Sequence, residues 1–226
     1  MGDPSPTSSL KNIYDTLSQC YGPQHWWPAE TSFEMMAGAI LTQSTAWANV
    51  EKAVANLKEA EVLSPSEFRK LSDAELAALI YPSGYYNAKA KKLKALANWL
   101  GTYDNELSAV KAVAPDKLRQ ELLGVHGIGP ETADSILLYA MELPFFVIDA
   151  YTRRLFSRLG ILPEGDSYDD WQDLFTNALE CDAGLYNEYH ALIVRHAKDC
   201  CRPRPQCPEC CLKAFCGHTG KTNNPL

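Results

Sequence analysis

Four cysteines near the C-terminus, Cys200, Cys207, Cys210 and Cys216, form the pattern C-x6-C-x2-C-x5-C. Any fold of this chain must bring that segment around whatever joins the four sulfurs. Six of the eight cysteines lie between Cys200 and Cys216. The N-terminus, Met1 to Ser9, carries no basic-then-apolar leader, so a cytoplasmic protein with reduced thiols is expected. In that setting four close thiolates argue for a metal centre over disulfides. Zinc and a [4Fe–4S] cluster both accept four cysteines, and ligand chemistry alone leaves the two open. Binding would order a seventeen-residue loop too poor in apolar side chains to order itself. Cys201 and Cys211 each adjoin a ligand and form a spare pair. Cys20 and Cys181 stand alone and are expected to be buried as small hydrophobes.

A second constraint runs from Leu118 to Gly160. An amphipathic helix, with Leu118, Leu122 and Leu123 on one face, breaks at Gly124. A glycine-punctuated turn follows, with Gly127 and Gly129 two apart, and Pro130 sits where a new helix would start. Unpaired N–H groups at that start suit a phosphate. An apolar run, Leu143 to Ile148, then delivers one acid, Asp149, ahead of a helix carrying Arg153, Arg154 and Arg158. A lone Asp before a helix is ordinarily its N-cap, and the residues alone do not separate that role from a catalytic one.

The rest of the chain reads as helices, with strand signals nearly absent. Helical patterns cover 10–21, 33–41, 46–60, 73–80, 87–100, 168–179 and 185–197. Ser64 and Glu67 fit a capping box that opens a short helix. The 226 residues, 46% of them hydrophobic, suffice for one or two domains. No apolar run approaches membrane-spanning length, so no membrane partner is expected. The net charge of −7 weighs against a nucleic-acid binder, but local patches count for more than the total. Candidate patches are 89–94, 153–158 and 202–213.

The stretch Gly124-Val-His-Gly-Ile-Gly-Pro-Glu-Thr-Ala133, with Val147-Ile-Asp-Ala-Tyr-Thr-Arg-Arg154, resembles the helix-hairpin-helix DNA glycosylases of the endonuclease III superfamily. The cysteine spacing resembles that family's iron–sulfur loop, so the resemblance selects the [4Fe–4S] cluster, held by Cys200, Cys207, Cys210 and Cys216. It implies an all-α, two-lobed fold. Residues 31–143 would form a six-helix barrel with the hairpin, and 1–30 with 144–199 a second helical lobe. The cluster loop would span 200–216 and a frayed polar tail 217–226. The active site would lie in the cleft between the lobes. The implied partner is damaged double-stranded DNA, bound by a monomer, nucleoid-associated if prokaryotic.

The resemblance also assigns roles. Asp149 matches the catalytic acid; Gly127, Gly129 and Arg153 would grip the DNA backbone. Bifunctional members carry an imine-forming lysine at the position held here by Glu131, so base excision without strand cleavage is expected. Trp26-Trp27-Pro28 and Leu41-Thr-Gln-Ser-Thr-Ala-Trp47 resemble the 3-methyladenine DNA glycosylase III branch, in which aromatic residues sandwich the base. Trp26, Trp27 and Trp47 are thus base-pocket candidates; lobe-packing core is the competing role. Gln43 matches the residue that fills the gap left by a flipped base, and a polar helix terminus is its alternative. His25 and His126 are loop residues with no decided role. The expected activity is hydrolysis of alkylated purines. Another base specificity on the same scaffold, oxidised or mismatched, and a non-catalytic lesion binder are the alternatives.

Overall fold

The computed structural model describes residues 6–218. Twelve α-helices and three short 3₁₀ turns make up the described residues, with no strand among them. In chain order the helices are α1 (Pro6–Tyr21), α2 (Ser32–Leu41), α3 (Trp47–Glu59), α4 (Pro65–Lys70), α5 (Asp73–Leu79) and α6 (Tyr86–Gly101). They continue as α7 (Leu107–Lys111), α8 (Pro115–Gly124), α9 (Pro130–Tyr139), α10 (Ala150–Leu159), α11 (Tyr168–Thr176) and α12 (Ala183–Asp199). None is long and apolar enough to cross a membrane. The chain divides into two compact units, Trp27–Leu143 and Met1–Trp26 with Pro144–Leu226.

In the unit Trp27–Leu143, α2 is the central element. Every residue from Phe33 to Leu41 is buried, which an all-round apolar sequence such as FEMMAGAIL demands. It packs on α9, α3 and α6, while α4 and α5 lie along α6. Thr31 caps α2 by accepting the Glu34 N–H at 3.1 Å. Ser64 likewise accepts from Glu67 at the start of α4, but the reciprocal capping box forms one helix later, between Ser72 and Glu75 of α5. Lys89 is the unexpected core residue. Its ammonium is buried and donates to the carbonyls of Leu41 at 2.8 Å and Ser83 at 2.7 Å, tying the end of α2 to the turn before α6. Burial, then the neighbouring Lys92, pulls its pKa down to about 8.

In the other unit α12 packs against α1 and α10. The core there is aromatic: Phe146 stacks on Phe175 at 4.1 Å, and Tyr186 and Tyr189 meet Phe146 edge-on. Three readings from sequence change. Cys20 and Cys181 are exposed, because Cys20 sits at the last turn of α1, beyond its buried residues Leu10, Ile13 and Leu17, and Cys181 in the turn before α12. Leu123 is also exposed, leaving Leu118 and Leu122 as the buried face of α8. Residues 219–226, most of the expected tail, lie outside the described residues.

Candidate active site and cysteine centre

The hairpin between α8 and α9 is fixed by one left-handed glycine and two side-chain struts. Gly127 has φ +82, and a Cβ added there would run into the Lys92 stem. Gly129, in contrast, is extended at φ −96 and precedes Pro130 at the first helical position of α9. Arg119 on α8 grips Asp134 on α9 through Nε at 2.7 Å and Nη2 at 3.2 Å, and the Asp134 side chain is fully buried. Gln43 forms the second strut. Its Nε2 donates to the Gly127 carbonyl at 3.2 Å and to the Thr132 hydroxyl at 3.0 Å. Its Oε1 accepts from the Lys92 ammonium at 2.6 Å. Glu131 is exposed in the first turn of α9, where its charge suits the helix N-terminus. His126 is exposed in the turn.

Two of the three tryptophans come together in the same unit. Trp27 and Trp47 meet edge to face, centroids 5.3 Å apart at 80°. Trp27 also leans on Tyr139 at 5.5 Å and lies against Gly38, whose missing Cβ would touch the indole at 3.4 Å. Between α2, α3 and Trp27 is a cavity of about 90 Å³, lined by both indoles, Gly38, Val50, Glu34 and Glu51. Trp26 belongs to the other unit, where the Lys198 ammonium lies 6.0 Å from its ring centroid. His25 is exposed, with φ 51.

Asp149 is both cap and charged group. One carboxylate oxygen accepts the Thr152 N–H at 2.7 Å, capping α10. The other lies 3.5 Å from Nε2 of His190 on α12. The Asp149 side chain keeps 12% of its surface exposed and His190 only 7%. Burial raises the cost of the carboxylate, but His190 and the Thr152 N–H more than offset it, holding Asp149 below its ordinary value. His190 is the residue sequence reading missed: it stands on the apolar face of α12, forty-one positions from Asp149, with no motif around it. Arg153 is engaged inside its own unit, bonded to the Asp166 carboxylate at 3.0 Å and carbonyl at 3.2 Å, with Trp171 beneath it at 5.4 Å.

The four cysteines named from spacing line one cavity, of about 20 Å³, together with His196, Leu155, Leu159 and Leu212. Cys201 lines the same cavity, and its sulfur and carbonyl accept from Arg158 at 3.2 and 3.3 Å. Arg158 further donates to the carbonyls of Arg202 and Pro203, and Arg154 to those of Cys201 and Ala197, so α10 holds the loop by its backbone. Burial pushes the Cys200 thiol up to about 12 and Cys210 upward too. A bound cation would offset that cost of ionisation, so the donor set fits a metal centre. Donor atoms of His196, Cys200 and Cys210 lie within 4.8 Å of one another.

Comparison with known proteins agrees with this architecture. The pattern of the HhH-GPD superfamily of base excision DNA repair proteins matches residues 37–181. A protein of Methanocaldococcus jannaschii that bears the name "Putative DNA repair glycosylase" is 46% identical over 211 residues, covering 92% of this chain and 95% of its own. The Helicobacter pylori 3-methyladenine DNA glycosylase MagIII, solved bound to 1,N6-ethenoadenine, superposes with a TM-score of 0.73 at 30% identity, over 86% of this chain and 98% of its own. A non-covalent endonuclease III–DNA complex shares the fold, with a TM-score of 0.81 at 23% identity over 94% of this chain and 95% of its own. The chain therefore belongs to the HhH-GPD superfamily of base excision DNA repair proteins, as a DNA glycosylase.

Proposed function

We propose that this protein is a monofunctional glycosylase that binds damaged duplex DNA and hydrolyses the N-glycosidic bond of alkylated purines such as 3-methyladenine. The observation that carries the reading is Asp149, a carboxylate held below its ordinary pKa by His190 and the Thr152 N–H. Glycosidic cleavage builds positive charge on the sugar, and a fixed anion stabilises that charge and orients or deprotonates water. The Thr152 bond occupies one oxygen, so the second, beside His190, is the one with work to do. Asp149 is held ionised and so does not itself protonate the leaving base, which favours a base that leaves readily, as cationic alkylpurines do. Glu131 cannot form an imine, so an abasic site is the product.

Gly127 and Gly129 present hairpin N–H groups suited to backbone phosphate, and Arg153, at the start of α10, would have to exchange its Asp166 partner for a phosphate to join them. Trp26, Trp27, Trp47 and Gln43 are proposed to shape the base pocket. Cys200, Cys207, Cys210 and Cys216 would hold a [4Fe–4S] cluster, which when bound cross-links the loop onto α10 and α12. The test is single-turnover incubation with DNA containing 3-methyladenine, the freed base identified by mass. Release of 3-methyladenine with the strand intact supports the reading; no release, with undamaged folding, sinks it.

A second reading keeps the scaffold and changes the base. Trp27 and Trp47 touch edge to face, which leaves no slot between them for a stacked purine. The same assay on oxidised and mismatched bases decides between the two.

A further inference from the structure

His196 is fully buried on the last turn of α12, four residues before Cys200. Both ring nitrogens are engaged. Nδ1 lies 2.9 Å from the Tyr21 hydroxyl, with the Cys211 sulfur further off at 3.9 Å. Nε2 lies 3.6 Å from the Cys210 sulfur. A sulfur that ligates a metal carries no proton, so across that contact the proton must be on the imidazole. A neutral ring has one N–H. Placing it on Nε2 makes Nδ1 an acceptor, and the tyrosine hydroxyl becomes its donor. Tyr21, at the end of α1, thereby selects the tautomer that points an N–H at the sulfur.

Resting on the reading that the four cysteines hold an iron–sulfur cluster, we propose that His196 donates Nε2–H to the Cys210 ligand sulfur, with Tyr21 as the group that fixes its tautomer, and that this pair sets the cluster's reduction potential. A hydrogen bond to a ligand sulfur stabilises negative charge there, and the reduced cluster has more of it. The pair therefore raises the potential, and its loss lowers it. Neither residue touches DNA or the glycosidic bond in this scheme; both act through a sulfur.

The experiment uses the full chain, purified anaerobically, with iron and sulfide counted before any potential is measured. Four proteins are compared: wild type, Tyr21→Phe, His196→Leu and the double variant; His196→Asn is the rescue. Expected is a potential lowered most in His196→Leu, lowered partway in Tyr21→Phe, and partly restored in His196→Asn, whose amide can donate. In the His196→Leu background, Tyr21→Phe should have no further effect, because the relay is already cut. Resonance Raman adds a second readout: the iron–cysteine stretching bands of wild type should shift in D₂O, and less so in Tyr21→Phe. If His196→Leu takes up no iron, that isotope shift and its change in Tyr21→Phe decide alone. A wild-type protein without iron sinks the cluster reading and this proposal with it. Iron present, with potential and isotope shift indifferent to both residues, overturns this proposal only. Full iron loading with an unshifted isotope response but a direct iron–imidazole signature makes His196 a ligand and overturns it as well.

Discussion

Gly127→Ala offers the sharpest test of how the hairpin is held. Two separable costs follow from the structure. The backbone at φ +82 is left-handed, and an alanine there costs about 1–2 kcal/mol. The new Cβ also enters the space of the Lys92 stem. That stem cannot simply move aside, because its ammonium donates to Gln43 at 2.6 Å and Gln43 in turn bonds Gly127 and Thr132. Displacing it gives up a charge-assisted hydrogen bond, about 1.5–3 kcal/mol. The single substitution should therefore cost about 2.5–5 kcal/mol, the sum of the two. With Lys92→Ala already in place, the space is open and only the backbone part remains, about 1–2 kcal/mol. A double-mutant cycle by urea unfolding should return a coupling of about 2 kcal/mol, well above the error of such cycles. DNA affinity on an abasic-site duplex, measured below each variant's melting range, should fall in Gly127→Ala and recover in part in the double variant. Equal costs of Gly127→Ala in both backgrounds would refute the reasoning: the glycine would then be required for its φ alone, and the Lys92 contact would be incidental.

Asp149→Asn should retain the α10 cap, since the amide oxygen still accepts the Thr152 N–H, while base excision falls by about 10²–10³ in single-turnover rate; wild-type excision would place the acid elsewhere. Borohydride should trap no covalent adduct on DNA carrying an abasic site, and an adduct mapped to any lysine would overturn the reading of Glu131. Arg119→Met should destabilise by about 3–5 kcal/mol in urea melts, because the fully buried Asp134 loses its guanidinium; a loss under about 1 kcal/mol would mean the pair is solvated in solution. Lys89 fixes a pH dependence. Its pKa falls from 10.5 unfolded to about 8 folded, so between those values the unfolded chain binds more protons, and this group's contribution to stability rises as pH climbs through that window. The difference between wild type and Lys89→Met, followed from pH 7 to 10, should show that slope; a flat difference refutes the burial argument.

What the sequence made legible were features with a fixed spacing. The C-x6-C-x2-C-x5-C pattern led to four sulfurs that line one cavity, and Gly-Ile-Gly-Pro led to a turn opening a helix at Pro130. Most helices followed from periodicity, but α1 starts at Pro6, four residues before its expected start, α11 ends at Thr176, three before its expected end, and the short α7 went unread. What was not legible were partnerships across the chain. His190 beside Asp149, Tyr21 beside His196, and Arg119 on Asp134 join residues up to 175 apart, and no local pattern marks them. The lone cysteines misled for a related reason: burial of a small residue depends on what covers the end of its element, and among the described residues Cys20 and Cys181 stay exposed.

Charge is where the sequence reading and the structure part most. Three basic stretches looked able to offset a net charge of −7, yet most of their cations serve the fold. Lys89 is buried on two carbonyls, Lys92 holds Gln43, and Lys94 bonds the Leu71 carbonyl and pairs with Asp73. Arg153 is bonded to Asp166, and Arg154 and Arg158 hold backbone carbonyls of the cysteine loop and the end of α12. Of the third stretch, Arg202, Arg204 and Lys213 are exposed, though Arg202 also bonds the Lys198 carbonyl. A protein that spends its arginines on its own backbone has few left for phosphate, so its affinity for undamaged DNA should depend only weakly on salt. Each phosphate neutralised contributes about −0.9 to the slope of log affinity against log salt, so three or four available cations set a slope of about −3 to −4. Arg204→Ala should remove about one from it. Arg158→Ala should act differently: it should loosen the cysteine loop and lower iron retention before it changes the salt slope. A slope steeper than about −6, or an Arg158 variant that reduces the slope with full iron content, would show that these guanidiniums leave their carbonyls to meet DNA.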